Sequence, residues 1–525
     1  MKPSIELYKL IKSLTKSEKR FFKLSSGLQS GDKNYVKIFD FIDAQSDYDE
    51  GEMKKMFKNE TFIKHLSSEK NHLYRLILKS LRAYYSEESL SSILKQEIKN
   101  VEILYNKALY KECEKFIVRA KKIAQDTEEF YYWNEIISWE KKLKEESLEN
   151  GEFVDDFESL IQEEEEVIEY RAERRRQIAE VIDKLRNLAE YQVIYSKIDN
   201  IFRTGGFTRT AQEELQVEQI ADYHLIKGKN TAKSTRASSM CYYIKGLCAA
   251  TNRNYVDSYL FFNKTKTILD NNPIIKQDLG PRYIQTITHL LRCYIDGEKF
   301  KEAEELIADL RNLKGTKGFN TINTEIKIVS NAFFMKLLLL QRQGKFEESI
   351  SLIQNIDVFI QNNIDVLSKE QYILFIYYKS VSYFGIRDFK KSLSFINEVL
   401  NDNEQHLRQD IYSFARVFNL VLHFELENYD FTEYVIKSTN RYLTKHGRDF
   451  PTENLLIKNI RKLSKNVVVD DQQTIFKNLE SELIQLFNDP HERTILEYFN
   501  LAAWVKCKIN KTTYVEEVVN ALKSK

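Results

Sequence analysis

Proline and glycine are scarce: the 525 residues include five Pro and 15 Gly. Chains rich in β-turns need both residues, so the shortage argues for long helices and against a sandwich or barrel. No Asn-Gly or Asp-Gly pair joins two alternating runs, and Asp296-Gly297 lies between helical patterns. Short β-branched runs such as Val467-Val468-Val469 read as connections between helices. Cysteine is sparse and odd in number: Cys113, Cys241, Cys248, Cys293 and Cys507. With no apolar core after Met1-Lys2-Pro3, these read as reduced thiols, and the expected location is cytoplasmic. The most apolar stretch, Ala332 to Leu340, is short and holds Lys336, so no membrane span is expected. Net charge is +1, giving no global pull toward nucleic acid or acidic lipid. Residues 1–82 nevertheless hold more Lys and Arg than Asp and Glu.

The familiar catalytic patterns are absent. Gly315-Thr316-Lys317-Gly318 lacks the spacing of a phosphate loop, and no Gly-x-Gly-x-x-Gly, His-Glu-x-x-His or Gly-x-Ser-x-Gly occurs. Cys241 and Cys248 could share a helix face, but no Cys-x-x-Cys or His pair accompanies them. The eight histidines are scattered, none beside a recognisable nucleophile. No catalytic residue, metal or cofactor is expected.

What is present is helical, at 42% hydrophobic and 30% charged residues. Capping signatures mark helix starts at Thr15-Lys16-Ser17-Glu18, Asp155-Asp156-Phe157-Glu158, Ser368-Lys369-Glu370-Gln371, Asp489-Pro490-His491-Glu492 and Thr513-Tyr514-Val515-Glu516. Asn150-Gly151 and Gly205-Gly206 bound a helical stretch of one or two helices. Its charge run, Glu163 to Glu166 followed by Arg171, Arg174, Arg175 and Arg176, reads as a solvated face.

The strongest signal is an internal repeat. Gly297-Glu298-Lys299-Phe300-Lys301-Glu302-Ala303 matches Gly344-Lys345-Phe346-Glu347-Glu348-Ser349, Arg387-Asp388-Phe389-Lys390-Lys391-Ser392 and Arg253-Asn254-Tyr255-Val256-Asp257-Ser258. Each has an aromatic, then two residues that are polar apart from Val256, then a small one. Leu109-Tyr110-Lys111-Glu112-Cys113 matches too, and Glu427-Asn428-Tyr429-Asp430-Phe431-Thr432 matches loosely. Upstream, Gly246 follows Tyr242 by four residues.

This pattern resembles the tetratricopeptide repeat, strongly over residues 235–445. The resemblance implies a polar or glycine position ending one helix, an aromatic wedge, and a small residue admitting the second helix. The aromatics recur after 45, 46, 43 and 40 residues, against about 34 in the standard repeat, so helices or loops are longer here. Residues 311–323, with Gly315 and Gly318, form one such loop. The segment Lys12–Arg20 also resembles that of bacterial tetratricopeptide-like proteins, a likeness that brings no activity with it.

The expected fold is therefore all-α, a curved solenoid of antiparallel helix pairs of this type, with atypical helical units at both ends. Residues 1–88 form an N-terminal unit, 89–450 the solenoid and 451–525 a C-terminal cap. In the first unit, Phe39, Phe41 and Ile42, then Met53, Met56 and Phe57, then Leu73, Leu76, Ile77 and Leu81 can meet in a small core. In the last, Leu496, Phe499, Leu501, Trp504 and Val505 make an apolar face.

A stack of helix pairs offers a concave groove for a protein or peptide partner. Counted from the repeat, Tyr243, Thr288, Arg292, Asn331, Gln341 and Tyr377 face it. The expected function is a non-enzymatic scaffold or adaptor. The alternative is a ligand-responsive transcriptional regulator whose N-terminal unit reads DNA with Lys64, Ser68, Lys70, Asn71, Arg75 and Lys79. Against it, the joint from Phe57 to Ser68 is long for a helix-turn-helix, and no hairpin wing follows.

Overall fold

A computed structural model describes residues 3–27, 34–86, 89–149, 157–402, 408–465 and 469–523. Every regular element among them is helical, and none is a strand. The chain divides into two compact units, Met1–Ile178 and Ala179–Lys525.

In the first unit, α1 (Pro3–Ser13), α2 (Lys16–Gly27) and α3 (Asn34–Ala44) pack on α5 (Leu66–Tyr84), while α4 (Glu50–Met56) and a 3-10 turn at Thr61–His65 fill the joint before it. Leu7, Ile11, Phe22, Phe39, Ile42, Met53, Phe62, Leu73 and Ile77 form the core. Of the residues expected there, Met56 is 69% exposed, because α4 ends at that position. The Thr15 box forms: the Glu18 carboxylate accepts from Thr15 N at 2.6 Å, and Glu18 N donates to Thr15 Oγ1 at 3.3 Å. Next come α6 (Leu90–Asn106), α7 (Tyr110–Asp126) and α8 (Phe130–Glu149), packed together.

A single helix, α9 (Phe157–Gly205), follows. It covers the stretch for which one or two helices were expected. Of the charge run, Arg175 and Arg176 are exposed, and Arg176 pairs with Glu173 at 3.2 Å. The side chains of Glu163 to Glu166, Arg171 and Arg174 lie outside the described residues, as do Asn150-Gly151, Asp155-Asp156 and Val467-Val468. Gly206 takes φ +71° where the helix stops.

The second unit continues with α10 (Ala211–Ala221), α11 (His224–Lys227), α12 (Thr235–Thr251), α13 (Tyr255–Asp270), α14 (Pro273–Asp278), α15 (Gly280–Asp296) and α16 (Phe300–Asn312). Then come α17 (Ile322–Arg342), α18 (Phe346–Asn363), α19 (Lys369–Gly385), α20 (Phe389–Leu400), α21 (Gln409–Glu425) and α22 (Tyr429–Lys445). Last are α23 (Pro451–Lys465), α24 (Val469–Leu486), α25 (Pro490–Arg493), a 3-10 turn at Thr494–Glu497, α26 (Leu501–Asn510) and α27 (Tyr514–Lys523). From α15 to α22 each helix packs on the next, and α15, α17, α19 and α21 also pack on one another in sequence.

One turn recurs between paired helices. Tyr110, Tyr255, Phe300, Phe346, Phe389 and Tyr429 are each the first residue of a helix. Two positions before each, Ala108, Arg253, Glu298, Gly344, Arg387 and Glu427 take positive φ. Between Leu340 and Phe346, for example, Lys345 N donates to Leu340 O at 2.9 Å and Gly344 N to Gln341 O at 3.1 Å. Lys299 and Glu298 bond Tyr294 and Ile295 in the same way, and Asp388 and Arg387 bond Tyr383 and Phe384. This is the Schellman arrangement, in which a left-handed residue lets the chain reverse while the last carbonyls stay bonded. The small residues that follow, Cys113, Ser258, Ala303, Ser349, Ser392 and Thr432, are all buried. The close approach is tight on the facing helix as well: a Cβ on Gly246 would meet the Phe262 ring at 2.8 Å, and one on Gly385 the Phe346 ring at 2.2 Å.

Candidate ligand cavity

The N-terminal ends of three helices converge on one space. Pro281, Arg282 and Gln285 of α15, Asn323 and Lys327 of α17, and Glu370 and Gln371 of α19 line a cavity of about 580 Å³. Tyr195, Asp199, Phe202 and Arg203 at the end of α9 form another wall, and Tyr243, Phe334, Tyr378 and Tyr498 supply further aromatic surface.

Residues 490–514 pack against the helix pairs, and Tyr498 of this segment lines the cavity. Glu497 sits fully within a cluster of arginines. Its carboxylate accepts from Arg253 Nη2 at 3.2 Å, from Arg342 Nη2 at 3.1 Å, from the Tyr255 hydroxyl at 2.7 Å, and from Arg292 Nη2. Burial alone would raise its pKa, but the guanidiniums of Arg292, Arg342 and Arg253 and the Tyr255 hydroxyl hold it down at about 2. Arg292 also bonds Asp296 at 2.5 Å, and burial raises that carboxyl despite Arg292. Next along, the Tyr498 hydroxyl donates to Asp410 at 2.8 Å, and Arg408 grips the same carboxylate at 2.7 Å. Phe499 stacks on Tyr514 and lies against Phe384 and Phe418. Trp504 Nε1 donates to Glu425 at 2.6 Å, and Asp489 caps α25 with Pro490 in its first turn. The apolar face read at Phe499, Leu501, Trp504 and Val505 is thus buried against α19, α21 and their neighbours.

The six groove residues divide. Tyr243, Thr288, Arg292 and Asn331 line the cavity; Gln341 and Tyr377 do not. Gln341 is buried and donates to Tyr378 O and Ser382 Oγ, both at 2.7 Å, tying α17 to α19. Tyr377 is fully buried, with its hydroxyl donating to Tyr498 O at 3.3 Å. Thr288 returns its hydroxyl to Ile284 O within its own helix. Asn331 is 8% exposed; its Oδ1 accepts from Gln371 at 3.4 Å and its Nδ2 has no partner among the described residues. His289 also lines the cavity, stacked on Phe262 at 4.5 Å and 5°. Burial drives its pKa down to about 4, so it is neutral near pH 7.

Sequence reading missed Arg282, Asp199, Glu497 and Tyr498. Glu497 and Tyr498 stand in an apolar stretch whose partners lie far along the chain, and nothing local marks Arg282 or Asp199 as cavity residues. Arg282 lies over the rings of Tyr195 and Tyr243 at 5.6 and 5.9 Å.

In the N-terminal unit, Lys64, Ser68, Asn71, Arg75 and Lys79 are exposed. Lys70 is not: it is 4% exposed, bonds Glu50 at 2.5 Å and cannot face a ligand outside. Among the described residues no group of three or more His, Cys, Asp or Glu could hold a metal ion, and no helix is long and apolar enough to cross a membrane. The five cysteines are free and buried. Compared with protein-family models, curated proteins and solved structures, the chain matches none.

Proposed function

We propose that this chain is a non-enzymatic binding scaffold, a solenoid of tetratricopeptide-like helix pairs that takes a protein or peptide segment into the cavity at the ends of α15, α17 and α19. The observation that carries the reading is the meeting of Tyr243 of α12, Thr288 and Arg292 of α15 and Asn331 of α17 around one space. Its volume lies within the roughly 300–1,000 Å³ usual for ligand sites, and its mixed aromatic and amide lining suits a peptide backbone with apolar side chains. The recurring turn supports the family likeness, since the same residue types occupy the same backbone positions in six places. The test is a pull-down with the full chain against Gln285→Trp, which fills the rim, with melting temperature as a control for folding. The variant should lose at least one partner that the wild type retains; an identical set of partners contradicts the reading.

A second reading has its own support. Arg75 and Lys79, one turn apart on α5, are exposed and have no ion-pair partner among the described residues, and Arg82 continues the row. A regulator that reads DNA would use this face. Arg75→Glu with Lys79→Glu should then abolish a salt-sensitive mobility shift of the full chain. Absence of any shift at low salt removes this alternative.

A further inference from the structure

The charges around the cavity are unevenly paired. Arg203 bonds Glu370 at 3.1 Å, Arg408 bonds Asp410, and Arg292 bonds Asp296 and Glu497. Asp199 faces Arg203 at 3.9 Å, and burial raises its carboxyl despite that arginine. Its carbonyl accepts from the Thr286 hydroxyl at 2.9 Å, but the Arg282 guanidinium has neither a hydrogen bond nor an ion pair among the described residues. It lies over two aromatic rings, and the nearest charge acting on it, Arg236, has the same sign. Arg282 is half-buried, and a cation drawn partly out of water without a counter-charge is costly, so proteins ordinarily pair it. The contrast with Arg292 and Arg408 is direct: carboxylates raise their pKa values against burial, whereas burial lowers that of Arg282.

A second, independent feature lies across the space. Asn331 is buried, lines the cavity and leaves its Nδ2 donor unsatisfied among the described residues. An unmade hydrogen bond on a buried amide is destabilising unless something from outside supplies the acceptor. Lys327, a further cation without an ion-pair partner among the described residues, stands on the same helix one turn before. The starts of α15, α17 and α19 present the positive ends of their dipoles to the same space.

We infer that the cavity binds an oxyanion carried on an aromatic or apolar body, with Arg282 as the anchoring cation and Asn331 Nδ2 as a donor. The inference rests on the reading that this cavity is the binding site, and it names the chemistry of what enters. The guanidinium offers planar, paired donors that fit a carboxylate or a phosphate alike. The rings of Tyr195, Tyr243, Phe334 and Tyr378 take the body of the ligand.

The test is calorimetric titration of the full chain with three probes: N-acetylphenylalanine, its uncharged amide, and phenyl phosphate. The acid should bind about tenfold more tightly than the amide, the difference expected for one charge-assisted pair. Arg282→Gln should reduce that preference to below about twofold, and Arg282→Lys, which keeps the charge, should retain part of it. Phenyl phosphate binding more tightly than the acid keeps the inference and identifies the head group as phosphate. Equal binding of acid and amide, or a preference unchanged in Arg282→Gln, overturns it while leaving the scaffold reading to its own pull-down. Binding of no probe also overturns it. Melting temperatures separate a lost site from a lost fold.

Discussion

The hydroxyl of Tyr255 donates a 2.7 Å hydrogen bond to Oε1 of Glu497, joining the aromatic of one repeat to a segment 242 residues further on. Three arginines share that carboxylate, so Glu497→Gln leaves Arg253, Arg292 and Arg342 short of a counter-charge in a buried setting. Breaking such a cluster should destabilise the second unit by about 3–5 kcal/mol. Urea unfolding followed by Trp504, with Trp133 and Trp139 replaced by Phe, reads this unit alone; a loss under about 1 kcal/mol would show that the cluster contributes little.

His289 gives a pH dependence with a defined sign. Its pKa is about 4 in the folded chain against 6.5 when free, and burial is the cause. Below pH 6.5 the unfolded chain takes up a proton that the folded chain refuses, so stability falls as pH drops from about 6.5 to about 4. The loss is on the order of 3 kcal/mol. His289→Phe, which keeps the stack on Phe262, should flatten that part of a stability profile; an unchanged slope rules out this assignment.

Gly385 lies where a methyl group would meet the Phe346 ring at 2.2 Å. Gly385→Ala should cost about 1–3 kcal/mol by overpacking, and Gly246→Ala somewhat less, since its contact with Phe262 is longer. Equal stability of Gly385→Ala and wild type would mean the helices of that pair sit further apart.

At the turns, Glu427 holds φ +56° and is exposed, a conformation that L side chains disfavour. Glu427→Gly should stabilise by up to about 1 kcal/mol, whereas Gly344→Ala, at φ +74° and with Val519 at 2.8 Å, should destabilise. Denaturant midpoints of the two variants should move in opposite directions.

The sequence was most informative where structure is local. Phe300, Phe346 and Phe389 open their helices because the turn before each is specified within a few residues. The same holds for the caps at Thr15, Ser368, Asp489 and Thr513. The long loop at 313–321 was visible through Gly315 and Gly318, which take φ +76° and +85°. What depends on distant chain was hidden. Nothing near Glu497 announces Arg253 or Arg292, and nothing near Tyr377 shows that Tyr498 will cover it. A groove position counted from helical period alone cannot distinguish an open wall from one that the chain itself fills. Lys70 shows the same limit, since its partner Glu50 lies on another helix.

The central claim is that partners are held at the ends of α15, α17 and α19. Hydrogen–deuterium exchange of the full chain, with and without a protein retained in the pull-down, tests it most directly. The account predicts slower exchange in segments 281–289, 323–331 and 370–378 when the partner is bound. Protection confined to residues 64–82, with those three segments unchanged, would contradict it.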